Sequence, residues 1–248
     1  MSWRCTGRSN AELVANLKRH GLIKTDAVQK AMEAIDRADY CPFEAYVDGP
    51  QHIGYDATIS APHMHAHAVE TLAPFLKPGA KVLDVGSGSG YLCAVFGEMV
   101  KPNGLVVGIE HIPQLVNLSL ANLQKSPPTS SILSTSPSNT VSSPSSTVIQ
   151  ILQSDGRLGH SESAPYDAIH VGAAAKGFPE ELIKQLKAPG RMFVPVEEDD
   201  GGQGQRQPAQ FIYVVDKDEE GNVTKTRRYG VMYVPLTDRK EFQEREDR

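Results

Sequence analysis

The chain has 248 residues, with 25 basic and 30 acidic side chains, so its formal net charge is −5. This balance argues against a protein built chiefly to hold nucleic acid phosphates, which usually has a basic surplus. Forty per cent of the residues are hydrophobic, enough to bury a full core. No window approaches the roughly 18 uninterrupted apolar residues that predict a membrane span.

The cysteines indicate a reducing compartment. Cys5, Cys41 and Cys93 are odd in number and do not have the spacing of metal ligands, so a disulfide framework is not expected. The N-terminal residues lack the apolar stretch of a signal peptide. We therefore expect a cytoplasmic protein that binds neither membranes nor nucleic acid.

The first 35 residues or so are predicted to form two helices. Ser9 and Glu12 have the spacing of a capping box, and Thr25 can cap the second helix. Residues 40–61 contain several prolines and glycines with little periodicity, which predicts a long irregular stretch. A helix is then expected from Pro62 to Leu76, on the spacing of its apolar residues.

Strands and helices are expected to alternate from residue 81 onward. Helices are predicted at Tyr91–Val100, His111–Gln124 and Pro179–Leu186. Strands are predicted at Lys81–Val85, Leu105–Ile109, Val148–Leu152, Ala168–Val171, Arg191–Val196, Phe211–Val215 and Val231–Val234. This order predicts an α/β fold: a Rossmann-like, doubly wound and mostly parallel sheet with helices on both faces and an N-terminal helical extension. The last two strands have no helix between them, so that edge is expected to be antiparallel.

Two segments interrupt the pattern. Between Ser126 and Ser146, 17 of 21 residues are Ser, Thr or Pro, which predicts a mobile insertion. Residues 197–208 are acidic and then rich in Gly and Gln, and they predict a second exposed loop. We expect one domain over 1–248, made of an N-terminal helical and active-site segment (1–77), a cofactor-binding core (78–215) and a C-terminal strand and tail (216–248).

A glycine run after the first predicted core strand is the strongest local signal. Gly86, Gly88 and Gly90 follow a buried strand at alternate positions and precede a helix, where a backbone without Cβ atoms lets a ligand approach. The spacing lacks the third glycine of the dinucleotide pattern. Asp84 before the run would suit a cationic ligand such as S-adenosylmethionine better than a pyrophosphate. Glu110 ends the next strand, where a ribose would offer hydroxyls; a nicotinamide cofactor and a purely structural turn remain alternatives.

Three further features leave alternatives open. Asp155 and Gly156 follow the third core strand, where they could bind an adenine edge or form an ordinary turn. The alternate histidines His63, His65 and His67 invite a metal site, but at a helix start their side chains would diverge, so no metal is expected. Ser60 could be an active-site hydroxyl or only a helix N-cap. No G-x-S-x-G elbow is present, which disfavours hydrolase chemistry.

With these residues assembled, the chain resembles the protein-L-isoaspartate (D-aspartate) O-methyltransferases. The resemblance covers nearly the whole chain and is carried by the blocks 36–40, 50–55, 58–66, 83–91, 155–157, 165–174 and 234–237. Thr58–Met64 is specific to this family among methyltransferases, whereas the glycine region is shared broadly. The resemblance implies S-adenosyl-L-methionine as cofactor, S-adenosyl-L-homocysteine as product, and a monomer that acts on damaged or flexible protein and peptide segments containing isoaspartate.

The resemblance also implies roles for individual residues. Ser60 would be the catalytic hydroxyl beside the accepting carboxylate, and His65 would bind substrate with it. Residues 53–56 would form a lid over the cofactor. The implied cofactor contacts are Ile53, Gly54, Tyr55, Asp56, Ala61, Asp84, Val85, Gly86, Ser87, Gly88, Glu110, His111, Asp155, Gly156 and Thr237.

The sequence departs from the family pattern in two places. Asp56 stands where a Gln is usual and adds negative charge near the lid, and Phe242 stands where a Gln often contacts the cofactor. Rival interpretations are a methyltransferase of the same fold acting on RNA or a small molecule, and a catalytically silent cofactor-binding module. The net charge disfavours RNA, and the Thr58–His65 block disfavours a generic small-molecule enzyme.

Overall fold

The N-terminal helices form where the sequence predicts them. The computed structural model describes residues 5–134, 146–198 and 208–237. Helix α1 spans Asn10–Arg19 and α2 spans Asp26–Ala34. Ser9 accepts a hydrogen bond from the Glu12 backbone N–H at 3.2 Å, as predicted. In a capping box the Glu12 carboxylate would accept from the backbone N–H of Ser9. Here it accepts instead from the backbone N–H of Arg8 at 3.0 Å.

Residues 40–61 contain a hairpin that the sequence analysis missed. Strands β1 (Gln51–Gly54) and β2 (Ala57–Ile59) pair antiparallel. Tyr55 and Asp56 at the tip have φ angles of 54° and 52°. Two consecutive left-handed residues match the type I′ turn, which usually carries Asn-Gly. Because neither residue is typical of that turn, the hairpin gave little local signal.

An eight-stranded sheet forms the centre of the fold. Its strands lie in the order β10-β9-β8-β6-β3-β4-β5, and the short β7 pairs with β8. The pairs from β8 through β6, β3 and β4 to β5 are parallel, which confirms the predicted mostly parallel sheet. The parallel strands are β3 (Lys81–Val85), β4 (Leu105–Glu110), β5 (Val148–Gln153), β6 (Tyr166–Val171), β7 (Ala175–Lys176) and β8 (Leu186–Glu198).

Both faces of the central strands of this sheet are buried. Val82 belongs to one hydrophobic cluster and the next residue, Leu83, to another, because successive side chains point to opposite faces of a strand. The first cluster includes residues of α1–α5, and the second includes Leu182 and Ile183 of α7. The remaining helices are α3 (Pro62–Leu72), α4 (Tyr91–Met99), α5 (Pro113–Leu123), α6 (Pro127–Ser130) and α7 (Glu180–Gln185).

The antiparallel edge is confirmed, but its last strand was predicted in the wrong place. Strand β9 (Ala209–Lys217) pairs with both β8 and β10 (Val223–Val231), each time antiparallel. The prediction began the last strand at Val231, where β10 ends. Most of the β10 side chains are exposed. A strand at the sheet edge can therefore be polar on both faces, and its sequence lacks the apolar run used to find it.

The Ser/Thr/Pro-rich segment is ordered at its beginning. Residues 127–130 form α6, Thr129 is fully buried, and Leu133 makes a bridge with Ile149 of β5. The prediction of a mobile insertion is wrong for these residues, and its 135–145 portion lies outside the described residues. In the second predicted loop, 197–198 belong to β8, and 199–207 lie outside the described residues. Within the described ranges, no helix is long and apolar enough to cross a membrane.

Candidate active site

A pocket opens at the carboxyl ends of β3 and β4, where an α/β sheet is expected to bind its ligand. Its lining comprises the hairpin tip 55–58, Gly86 and Gly88, residues 109–112 with Leu115, Gly156, residues 172–173, and residues 234–237. Of the predicted cofactor residues, Tyr55, Asp56, Gly86, Gly88, Glu110, His111, Gly156 and Thr237 are therefore brought together here.

The glycine loop has the backbone conformation that its sequence predicts. Gly86, Gly88 and Gly90 have φ angles of 76°, 51° and 83°, in the left-handed region that favours glycine. A Cβ atom on Gly90 would lie 2.4 Å from Ser119 Oγ, so this glycine also allows α4 and α5 to approach closely. The loop thus serves both the pocket and the helix packing around it.

Glu110 ties the glycine loop to the start of α5. Its Oε1 accepts from the backbone N–H groups of His111 and Ile112 at 2.8 and 3.0 Å, and its Oε2 accepts from Gly88 N–H at 3.1 Å. A carboxylate oxygen can accept two hydrogen bonds. Glu110 is 4% exposed and lines the pocket, so Oε2 retains capacity for a ligand hydroxyl.

A second, wider groove adjoins this pocket. Residues 229–235 form part of its lining. The other lining residues are Thr58, Ser60, Ala61, His63, Met64, His67, Leu22, Pro50, Gly172, Lys176, Glu197, Pro208 and Gln210. Thr58, Gly172, Val234 and Pro235 line both cavities. A small group bound in the pocket can therefore meet a larger molecule bound in the groove across these four residues, which we call the shared wall.

Ser60 and Ala61 lie on the groove side of the shared wall. The N-cap of α3 is Ala61, not Ser60, and no side chain caps this helix. The alternative in which Ser60 is only a helix cap is therefore wrong. Arg37 anchors the backbone of this segment, because its Nη2 donates to the Ser60 carbonyl oxygen at 2.8 Å.

Known proteins resemble the chain over almost all its length. The family described as protein-L-isoaspartate(D-aspartate) O-methyltransferase matches residues 8–241. The chain belongs to this family. The protein-L-isoaspartate O-methyltransferase of Caenorhabditis elegans is 46% identical over 241 residues, covering 97% of this chain and 98% of that protein. The Triticum aestivum protein of the same name is 47% identical over 232 residues, 93% of this chain and 92% of its own.

A solved structure extends the likeness to three dimensions. A protein-L-isoaspartate O-methyltransferase from Plasmodium falciparum, in complex with S-adenosyl-L-homocysteine, has a TM-score of 0.78 and 33% identity to this chain. The match covers 93% of this chain and 99% of that one. The Rossmann-like methyltransferase fold expected from the sequence is thus confirmed.

Asp84 was predicted to contact the cofactor, but it does not line the pocket. It is 1% exposed, with Oδ1 2.7 Å from His170 Nδ1 and Oδ2 accepting from the Cys93 thiol at 3.1 Å. Burial, and after it the negative charge of Asp84, raises the pKa of Cys93 well above its ordinary value. The thiol therefore remains protonated and donates to Asp84. The pairing of β3 with β6 places Asp84 beside His170 inside the core, and the carboxylate turns toward that partner.

Five other implied contacts are not among the residues that line the pocket. Val85 is fully buried and packs directly against Gly156, where an added Cβ would come within 2.5 Å of the Val85 side chain. Asp155 caps the turn after β5 and binds Arg157 at 2.7 Å, while Gly156 faces the pocket. Ser87 is buried, and Ile53 packs toward Gly88. Ile53, Gly54, Val85, Ser87 and Asp155 therefore do not line the pocket.

The three histidines of α3 point in different directions, as a helix start predicts. His63 Nδ1 lies 2.8 Å from Asp48 Oδ1, His65 Nδ1 lies 3.1 Å from Arg37 Nη1, and His67 Nδ1 lies 2.7 Å from the Tyr229 hydroxyl. Across the described parts of the chain, no group of three His, Cys, Asp or Glu residues is placed to hold a metal ion.

The predicted substrate contact of His65 is not supported by its position. His65 is 7% exposed, packs against the Tyr91 ring at 5.0 Å, and does not line the groove, whereas His63 and His67 do. The Arg37 guanidinium has only donors, so the facing Nδ1 of His65 must accept. His65 is thus held neutral beneath Ser60 as a structural partner of Arg37.

Acid is expected to destabilise the fold through His65. Burial, and next the Arg37 charge, lower the pKa of His65 well below its ordinary value. As the pH falls below about 6.5, the unfolded chain therefore gains a proton that the folded chain does not, costing up to about 1.4 kcal/mol per pH unit. Between pH 6.5 and pH 5, the free energy of unfolding measured in urea should fall by up to about 2 kcal/mol less in His65→Gln than in the parent protein. Equal losses would contradict the neutral, buried assignment.

Several residues of the two cavities were missed from sequence. In the pocket these include Ile109, Ile112, Leu115, Ala173 and Leu236, which are apolar, and Gly172 directly after β6. Apolar lining residues cannot be told from core residues in a sequence. Gly172 did carry a signal, because a glycine at the carboxyl end of a central strand lets a ligand or backbone come close.

Proposed function

We propose that this chain transfers the methyl group of S-adenosyl-L-methionine to the free α-carboxylate of L-isoaspartyl residues in damaged proteins and peptides. Transfer to D-aspartyl residues is part of the same proposal. The resulting methyl ester would close to a succinimide and so begin repair. The observation that carries the proposal is the shared wall, where a cofactor-sized pocket meets an open groove beside Ser60.

The pocket residues fit the cofactor. The glycine loop leaves room for a ligand close to the backbone, and Glu110 Oε2 has acceptor capacity suited to a ribose hydroxyl. The hairpin tip contributes Tyr55 and Asp56 to the pocket lining, where it would contact the cofactor. When bound, S-adenosyl-L-methionine supplies an activated methyl group on its cationic sulfonium.

The acceptor needs orientation rather than activation. An α-carboxyl group has a pKa of about 3.5 and is ionised at neutral pH, so no general base is required. Alignment of two reactants can contribute roughly 7–11 kcal/mol to the lowering of a barrier. Ser60 is the proposed hydrogen-bond donor to this carboxylate, and Arg37 fixes the Ser60 backbone through its carbonyl.

Ser60→Ala is expected to lower kcat/KM for an isoaspartyl peptide roughly 10- to 100-fold, since hydrogen bonds to charged groups contribute about 1.5–3 kcal/mol. The affinity for S-adenosyl-L-homocysteine, measured by calorimetry, should be unchanged, because Ser60 lines only the groove. Exposed Ser130 on α6 is the matched control for the Ser→Ala change. Equal loss of peptide turnover and cofactor affinity would contradict the assignment.

The substrate is tested directly with two peptides that differ only in the linkage at one aspartate. Methyl transfer from labelled S-adenosyl-L-methionine to the isoaspartyl peptide, as a base-labile ester, and not to its normal twin supports the proposal. Transfer to neither peptide would leave the rival interpretations, a small-molecule or RNA methyltransferase or a silent module. We further propose a single domain that acts as a cytoplasmic monomer on flexible segments, as the open groove would allow.

A further inference from the structure

A second hydroxyl group lies beside Ser60 in the groove. Tyr233 lies beside the Ser60 side chain, and both residues line the groove. Burial raises the pKa of Tyr233 to about 12. The phenol is therefore protonated at neutral pH and is available as a hydrogen-bond donor.

The position of Tyr233 is set by one side chain. The Tyr233 backbone N–H donates to Gln210 Oε1 at 2.6 Å, and Gln210 Nε2 donates to the Tyr233 carbonyl at 3.2 Å. Gln210 already pairs with Val231 through its own backbone at the end of β10. Its side-chain amide thus continues the pairing two residues beyond the strand. The same Nε2 lies 3.3 Å from Glu197 Oε1, which fixes the orientation of the amide.

The segments that carry the two hydroxyls are each held by a hydrogen bond from a polar side chain to the backbone. Arg37 hydrogen-bonds to the backbone of Ser60, and Gln210 hydrogen-bonds to the backbone of Tyr233. In each case a long polar side chain anchors an irregular segment that no regular secondary structure supports. Such anchoring is what a pair of donors needs in order to bind one small anionic group in a fixed orientation.

We propose that the Tyr233 hydroxyl is a second hydrogen-bond donor to the acceptor carboxylate, and that Gln210 is the positioning residue that holds it there. The inference rests on the proposed function and deepens it. The hydroxyls of Ser60 and Tyr233 both donate to one carboxylate oxygen when substrate binds. The other oxygen accepts no hydrogen bond from these two hydroxyls and faces the methyl group across the shared wall.

Tyr233→Phe is expected to raise the KM for an isoaspartyl peptide roughly 10- to 100-fold, as the loss of a hydrogen bond to a charged group implies. The dissociation constant for S-adenosyl-L-homocysteine should be unchanged. Tyr213→Phe is the matched control, since Tyr213 lies on β9 like Gln210 but its hydroxyl binds Glu198 outside both cavities. That control should leave the KM unchanged.

Gln210→Met provides an independent route, because it keeps the side-chain length and removes both hydrogen bonds to Tyr233. It should raise the KM by a similar factor, and the double variant with Tyr233→Phe should be no worse than the poorer single variant, since both act through one hydroxyl. An unchanged KM in Tyr233→Phe, additive effects in the double variant, or a parallel loss of S-adenosyl-L-homocysteine affinity would overturn the proposal. Absence of peptide methylation by the parent protein would instead refute the proposed function.

Discussion

Arg37→Ala is expected to lower the free energy of unfolding by about 3–5 kcal/mol, as measured by urea titration without ligand. Arg37 is fully buried, and its side chain is among the largest in the core. Its removal leaves a cavity and takes away the donors to His65 Nδ1 and the Ser60 carbonyl. Peptide methylation should fall as well, because Ser60 loses its backbone anchor.

Two further variants separate volume from hydrogen bonding at this position. Arg37→Met fills most of the space and should destabilise less than Arg37→Ala, since burial of the charge itself is unfavourable. Burial is also the main cause that lowers the pKa of Arg37. If methylation survives in Arg37→Met at the parent rate, the guanidinium is only a space-filling group and the anchoring role is refuted.

Glu110→Ala is expected to raise the dissociation constant for S-adenosyl-L-homocysteine roughly 10- to 100-fold. It should also lower the free energy of unfolding by about 2–4 kcal/mol, because three backbone N–H groups lose their acceptor. These belong to Gly88, His111 and Ile112. Calorimetric titration of the ligand and urea unfolding measure the two effects separately.

Glu110→Gln refines this prediction. Its amide oxygen can still accept from His111 and Ile112, while its NH₂ group would face the Gly88 N–H donor and cannot accept from a ribose hydroxyl. Ligand affinity should therefore fall more than stability. Exposed Glu180, which pairs with Lys225 on the surface, is the matched control for Glu→Ala. Unchanged ligand affinity in both Glu110 variants would show that the ligand does not contact this carboxylate.

Much of the fold could be predicted because its signals are local. Ser9 and Thr25 mark helix starts by capping, and the apolar run before Gly86 marks a buried strand. The hairpin at Tyr55 and the strand β10 could not be found this way. The hairpin turns through residues that are unusual for its conformation, and β10 lies at the sheet edge, where no apolar pattern is required.

The site was predictable by segment but not by side-chain direction. The strand pattern placed Gly86 and Glu110 at the carboxyl edge of the sheet, where the pocket lies, and the family resemblance implied an active-site role for Ser60, which lines the adjoining groove. It could not show that Asp84 turns toward His170 or that His65 turns toward Arg37. Those directions depend on partners 86 and 28 residues away in sequence, which become neighbours only after the sheet has formed.

The shared wall has a consequence for the binding of the two proposed ligands. Val234 and Pro235 line both the pocket and the groove, so a shift of this segment would change the fit of a ligand in each cavity together. Any factor by which bound peptide tightens the hold on the cofactor must equal the factor by which bound cofactor tightens the hold on the peptide. Under the proposed function, methylation removes the negative charge of the acceptor carboxylate, so the methylated peptide should bind the groove more weakly. At equilibrium it should then also stabilise bound S-adenosyl-L-homocysteine less than the unmethylated peptide does.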